Sequence, residues 1–157
     1  MKGIRCFRFR SVGYRFIPKA ACKSIKHELF RLEHKRDFNM QTEGCHIHRF
    51  YANEGEREID NCRFRFIVVR DPVHRLLSCY SNRVGHHREL SEERVRSVSD
   101  EIADSLPCFE PSIDEFIDHL EAFQRVGSIR HHSRSLHTFL DSESLDFFTH
   151  VYPLERL

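Results

Sequence analysis

Residues 64–80 read FRFIVVRDPVHRLLSCY, an apolar β-branched run that leads directly into a helix start. Phe64 to Val69 alternates and then becomes continuously apolar, the pattern of a strand buried on both faces in a parallel sheet. Asp71 is a good N-cap and Pro72 suits the first helical turn, so a helix is expected to begin there. Leu76, Leu77, Tyr80 and Val84 would form its buried stripe. Arg75 lies four residues after Asp71, where a pair across one helical turn is expected.

Upstream, Tyr14 to Pro18 (YRFIP) reads as a second buried strand. Ile25, Leu29 and Leu32 follow at helical spacing, which predicts an amphipathic helix from about Lys23 to Arg36. His46 to Ala52 alternates and is expected to be a strand carrying His46 and His48 on one face. Downstream, Ser91 to Leu106 reads as one helix with Val95, Val98 and Ile102 inward. Ser112-Ile113-Asp114-Glu115 is a capping box before a helix that buries Phe116, Leu120 and Phe123. Phe147 to Tyr152 reads as a last strand. This alternation predicts an α/β fold with a mostly parallel central sheet, as a single domain over 1–157.

Composition sets outer bounds. The chain has 157 residues, 14 Phe, no Trp, and only 6 Gly and 5 Pro, which excludes a disordered or fibrous chain. No stretch approaches the ~20 apolar residues of a membrane span. Arg5, Arg8 and Arg10 interrupt the region where a secretory leader would need an apolar run. Six dispersed cysteines without a CxxC pair read as free thiols. Residues 1–75 carry 17 basic and 9 acidic side chains, whereas the remainder carries 8 and 15. The basic half therefore suits a small anionic ligand, or balances an acidic half.

Two strand-to-helix turns in that half could hold an anion. The first is PKAACKSIK (18–26), where small residues admit a close backbone approach and Lys19, Lys23 and Lys26 surround a helix start. It lacks the glycines of a Walker A loop, so only Lys23-Ser24 echoes that motif. The second begins at Arg70, at the carboxyl end of the central strand, with Ser78 about two turns into the next helix. An arginine fork and a hydroxyl at that spacing suit one phosphate.

Together these segments resemble the sulfotransferases, in particular the carbohydrate type. PKAACKSIK looks like their 5′-phosphosulfate loop and RDPVHRLLSCY like their 3′-phosphate motif. Lys23 stands where relatives often have Thr. SIDEFIDHL, His131-His132 and HVYPLERL are weaker echoes of the same family. The resemblance implies a P-loop-NTPase-like three-layer fold. It also implies transfer of a sulfuryl group from 3′-phosphoadenosine 5′-phosphosulfate (PAPS) to a hydroxyl or amine, leaving adenosine 3′,5′-bisphosphate. Lys19 would stabilise charge on the bridging oxygen. Lys19, Ala21, Cys22, Lys23, Ser24 and Ile25 would cradle the 5′-phosphosulfate, and Arg70 with Ser78 would hold the 3′-phosphate. No metal is required by such enzymes, and a carbohydrate is the family's usual acceptor. In the family a further helix and basic loop follow the last strand, so the chain is expected to end short of them.

The acceptor must lose a proton, and a histidine suits that role near neutral pH. His48 is preferred to His46. Three other readings compete. Cys45, His46 and His48 could ligate a metal, although closed zinc sites usually use four ligands. The interleaved CFRFR and RFRF could track a single-stranded nucleic acid. A degenerate domain could bind the nucleotide without turnover. Cys22, at a helix start, would favour its thiolate, while the plainer reading is a buried small residue. A cytoplasmic location is expected from the missing leader, the alternative being a Golgi lumen or membrane-associated location. The acceptor and the oligomeric state are not written in the residues.

Overall fold

The computed structural model describes residues 6–9, 11–53, 59, 62–140 and 144–157. The chain divides into two compact units, Met1–Arg70 with Leu136–Leu157, and Asp71–Ser135. The first unit is α/β. Its sheet runs in chain order, β1 (Cys6–Phe9), β2 (Val12–Arg15), β3 (Phe64–Val69) and β4 (His150–Pro153). β1 is antiparallel to β2, while β2, β3 and β4 are mutually parallel, with Arg15 opposite Ile67 and Val69 opposite Pro153. The FRFIVV strand thus lies between two parallel neighbours, as its apolar end requires.

The other strands are shorter than, or displaced from, their sequence expectations. The one expected over Tyr14–Pro18 starts at Val12 and leaves the ladder after Arg15, because a turn closed from Ala20 N to Ile17 O begins there. The one expected over Phe147–Tyr152 starts at His150, after a 3-10 turn at Leu145–Phe147.

Helix α1 (Cys22–His34) buries Lys26, Leu29 and Phe30. Leu32, expected inward, is 52% exposed because the buried face of α1 runs through Lys26, Leu29 and Phe30, rotated off the Ile25–Leu29–Leu32 stripe. Helix α2 (Met40–Glu43) is capped by the Asn39 side chain, which accepts from Gln41 N at 2.8 Å. Residues 47–53 form helix α3 (Ile47–Asn53) and not the expected strand. Ile47 and Tyr51, four apart, both face the core, and that shared burial outweighs a seven-residue alternation. Their partners include Tyr14, Ile17, Phe30, Ile67 and Val68, with Tyr14 stacked on Phe66 at 4.6 Å.

The second unit is helical around its own core of Leu90, Phe116, Phe123 and Ile129. Helix α4 (Pro72–Cys79) starts as expected, with Asp71 accepting from Val73 N at 2.9 Å and His74 N at 3.0 Å. It continues as a π-helical turn, Tyr80–His86. Its buried side chains are Arg75 and Cys79, whereas Leu77 is 41% exposed. The Arg75 guanidinium donates to the carbonyls of His132, Ser133 and Arg134 at the end of the seven-residue helix Gly127–Ser133, where the helix dipole is negative.

The helix expected over 91–106 is two, α5 (Glu92–Arg96) and α6 (Asp100–Asp104). Ser99 ends the first run by capping the second, accepting from Ile102 N at 3.2 Å, and leaves Val98 exposed. The capping box at Ser112 forms completely and opens α7 (Ile113–Asp118). After α8 (Leu120–Phe123), the helix that Arg75 caps is α9 (Gly127–Ser133).

Among the described residues no helix is long and apolar enough to cross a membrane, and Cys22, Cys45, Cys62, Cys79 and Cys108 are free thiols. Gly13 on β2 marks a close approach: a Cβ there would lie 2.8 Å from Ile59 Cβ and 3.3 Å from Cys62 Sγ. Gly13→Ala should destabilise the protein by about 1–3 kcal/mol through this overpacking. A urea melt is the check, and an unchanged midpoint would contradict the packing.

Candidate anion-binding site

In parallel neighbours the carboxyl ends lie at one edge, so the turn after β2 and the residue after β3 are neighbours. The turn is Pro18-Lys19-Ala20-Ala21. Ala20 is fully buried, which seats the turn on the core. Lys19 has φ 67 and Ala21 φ 54, so two non-glycine residues adopt the left-handed region. Each such residue costs roughly 1–2 kcal/mol, and a strained turn of this kind must be held by its surroundings. The Arg70 guanidinium supplies that hold, with Nη1 donating to the Lys19 carbonyl at 3.2 Å.

Ala21 is the N-cap of α1 and has no side chain able to cap it. The first helical bond is Ile25 N to Ala21 O, so the amides of the first turn are not consumed by the helix. No acidic residue stands in that turn. Lys23 and Ser24 lie there, both exposed, and Cys22 and Ile25 are half-buried. A 13-residue helix that ends in open amides and a lysine favours an anion at its N-terminus.

Burial pushes the Cys22 thiol up from its ordinary value, and this outweighs Lys26, Lys19 and the backbone N–H groups that pull it down. Of the two readings of Cys22, burial therefore prevails over the helix start.

His46 and His48 flank the start of α3 with rings stacked at 5.1 Å. The His48 backbone N–H donates to His46 Nδ1 at 3.2 Å, so neutral His46 carries its proton on Nε2. Desolvation, followed by Lys23, His27 and Lys26, lowers the His46 pKa. His48 Nδ1 lies 2.9 Å from Nζ of Lys26, which is 3% exposed and sits 4.0 Å over the Phe16 ring. Sequence reasoning grouped Lys26 with Lys19 and Lys23 as lysines around the helix start. Its place four residues after Cys22, on the face that buries Leu29 and Phe30, was the available signal.

The first unit thus gathers Lys19, Ala21, Cys22, Lys23, Ser24, Ile25, Arg70, His46 and His48. Ser78 is half-buried on α4, in the second unit. Among the described residues no three His, Cys, Asp or Glu side chains are grouped as metal ligands. Of the two RFRF arginines that could have tracked nucleic acid, Arg63 is exposed and Arg65 is engaged internally. Its Nε donates to Phe147 O at 2.8 Å, its Nη1 to Cys62 O at 2.9 Å, and it lies over the Phe147 ring. The CFRFR side chains lie outside the described ones.

Folded protein at pH 7.5 should alkylate at Cys22 more slowly with iodoacetamide than the urea-unfolded chain does. Peptide mass mapping reads the rate, and faster labelling in the folded state would contradict the raised thiol.

A family model described as the sulfotransferase family matches residues 4–147. No curated protein and no solved structure matches the chain.

Proposed function

The chain belongs to the sulfotransferase family, and from that premise we propose that it transfers a sulfuryl group from PAPS to a hydroxyl or amine of a carbohydrate acceptor. The observation that carries this reading is the uncapped, lysine-flanked start of α1, tied to Arg70 through the Lys19 carbonyl. A doubly charged nucleotide needs donors at both of its anionic ends, and these two segments supply them from adjacent strand ends.

In this reading the first-turn amides of Ala21 to Ser24 and the Ser24 hydroxyl hold the 5′-phosphosulfate, with Ile25 closing the first helical bond behind them. Lys19 neutralises charge as it builds on the bridging oxygen, which is the kind of electrostatic stabilisation that dominates such transfers. Arg70 binds the 3′-phosphate, and Ser78 enters through the motif it completes. His48 takes the proton of the acceptor; His46 is the weaker candidate because its Nδ1 already accepts a backbone N–H. The protein mainly positions reactants, so misplacement of the turn would cost rate as well as affinity.

Calorimetric titration with adenosine 3′,5′-bisphosphate tests the reading. Wild type should bind saturably, and Arg70→Ala about ten-fold or more weakly, as for loss of one charge-assisted pair. Equal affinities would separate Arg70 from the nucleotide. Lys19→Ala should retain binding better than it retains transfer of ³⁵S from labelled PAPS to a desulfated polysaccharide. Wild-type binding without any transfer would favour the nucleotide-binding domain that lacks turnover.

A further inference from the structure

Three cationic side chains are buried among the described residues: Arg15, Lys26 and Arg75. Arg15 and Arg75 donate to backbone carbonyls, Arg15 to Leu140 O at 3.1 Å and Arg75 at the end of α9. A carbonyl takes no proton, so these two contacts are structural. Lys26 differs, because its Nζ meets an imidazole nitrogen that can exchange one.

The Lys26–His48 couple has two states that matter, and they differ by one proton. With an ammonium at Nζ donating to Nδ1, neutral His48 carries its own proton on Nε2, where it can accept nothing. Once the couple has given up one proton to solvent, the shared proton can sit on Nδ1, where His48 donates to a neutral amine and its Nε2 lone pair can receive a proton. Only the second arrangement makes His48 a base.

We infer that Lys26 is the positioning residue for His48: it holds Nδ1–H before turnover and takes up that proton as His48 deprotonates the acceptor. The inference rests on the sulfuryl-transfer reading above. The O–H bond of the acceptor breaks and its proton forms an N–H bond at Nε2. The Nδ1 proton passes to Nζ. The electron pair left on the acceptor oxygen forms the bond to sulfur as the bond from sulfur to the bridging oxygen of PAPS breaks. The face of the Phe16 ring, 4.0 Å from Nζ, receives the ammonium afterwards. Lys26 never touches substrate and acts through the ring it holds.

Nitrogen-15 NMR of the imidazoles in the full chain tests this without turnover. Wild-type His48 should be the Nδ1–H tautomer, and Lys26→Met, of similar length and apolar, should shift it toward Nε2–H. An Nε2–H tautomer in wild type overturns the inference, and so does a tautomer that Lys26→Met leaves unchanged. The wild-type spectrum decides even where the variant fails to fold.

With ³⁵S-labelled PAPS and a desulfated polysaccharide, Lys26→Met should lower kcat about ten-fold or more while KM for PAPS stays within about two-fold. Lys26→Arg, which can only donate, should not rescue kcat; full rescue would reduce Lys26 to a buried cation. Failure of wild type to bind adenosine 3′,5′-bisphosphate would instead defeat the sulfotransferase reading, leaving the tautomer result to stand alone.

Discussion

The hydrogen bond from the Arg70 guanidinium to the Lys19 carbonyl joins the ends of two adjacent parallel strands, and the geometry of the candidate site depends on it. It holds a turn in which Lys19 and Ala21 both take left-handed backbone angles. Such a turn has little local reason to persist, since neither residue is glycine. Its persistence fixes where α1 begins and therefore where the open amides of its first turn lie. Ala20 beneath it is fully buried, so the turn is held from the core as well as from Arg70.

Around that turn the protein concentrates positive charge where most helices carry an acidic residue or a capping side chain. Lys23 stands in the first turn of α1, and Lys26 one turn on is buried against Phe16 and His48. This arrangement is electrostatically costly when empty and complementary to an anion. The family match over 4–147 supplies the chemistry such an anion would undergo. The histidines extend the same patch, since His46 feels Lys23, His27 and Lys26.

The central strand and the helix after it were legible because FRFIVV and Asp71-Pro72 each give one consistent signal. Propensity, periodicity and capping agree there, and the structure places the strand and the cap at the residues named. Where signals were short or mixed, the chain did otherwise. Residues 46–52 alternate over too few positions to separate a strand from a helix, and the burial of both Ile47 and Tyr51 selects the helix. Ser99 falls inside the span expected as one helix over 91–106 but caps a second one.

At the site, Lys19 and Arg70 were readable from the ends of their strands. The roles of Lys26 and Phe16 were not, because they arise only when α1 packs on α3 and on the strand exit. The Cys22 thiol turns on a related balance: a helix start lowers a thiol, but burial raises this one more.

Amide NMR of the full chain during titration with adenosine 3′,5′-bisphosphate measures the central claim most directly. The account predicts saturable shifts that are largest at the amides of Ala21, Cys22, Lys23 and Ser24, with the Arg70 side chain moving at the same midpoint. Saturable shifts confined to other segments, or none at all at these amides, would contradict it.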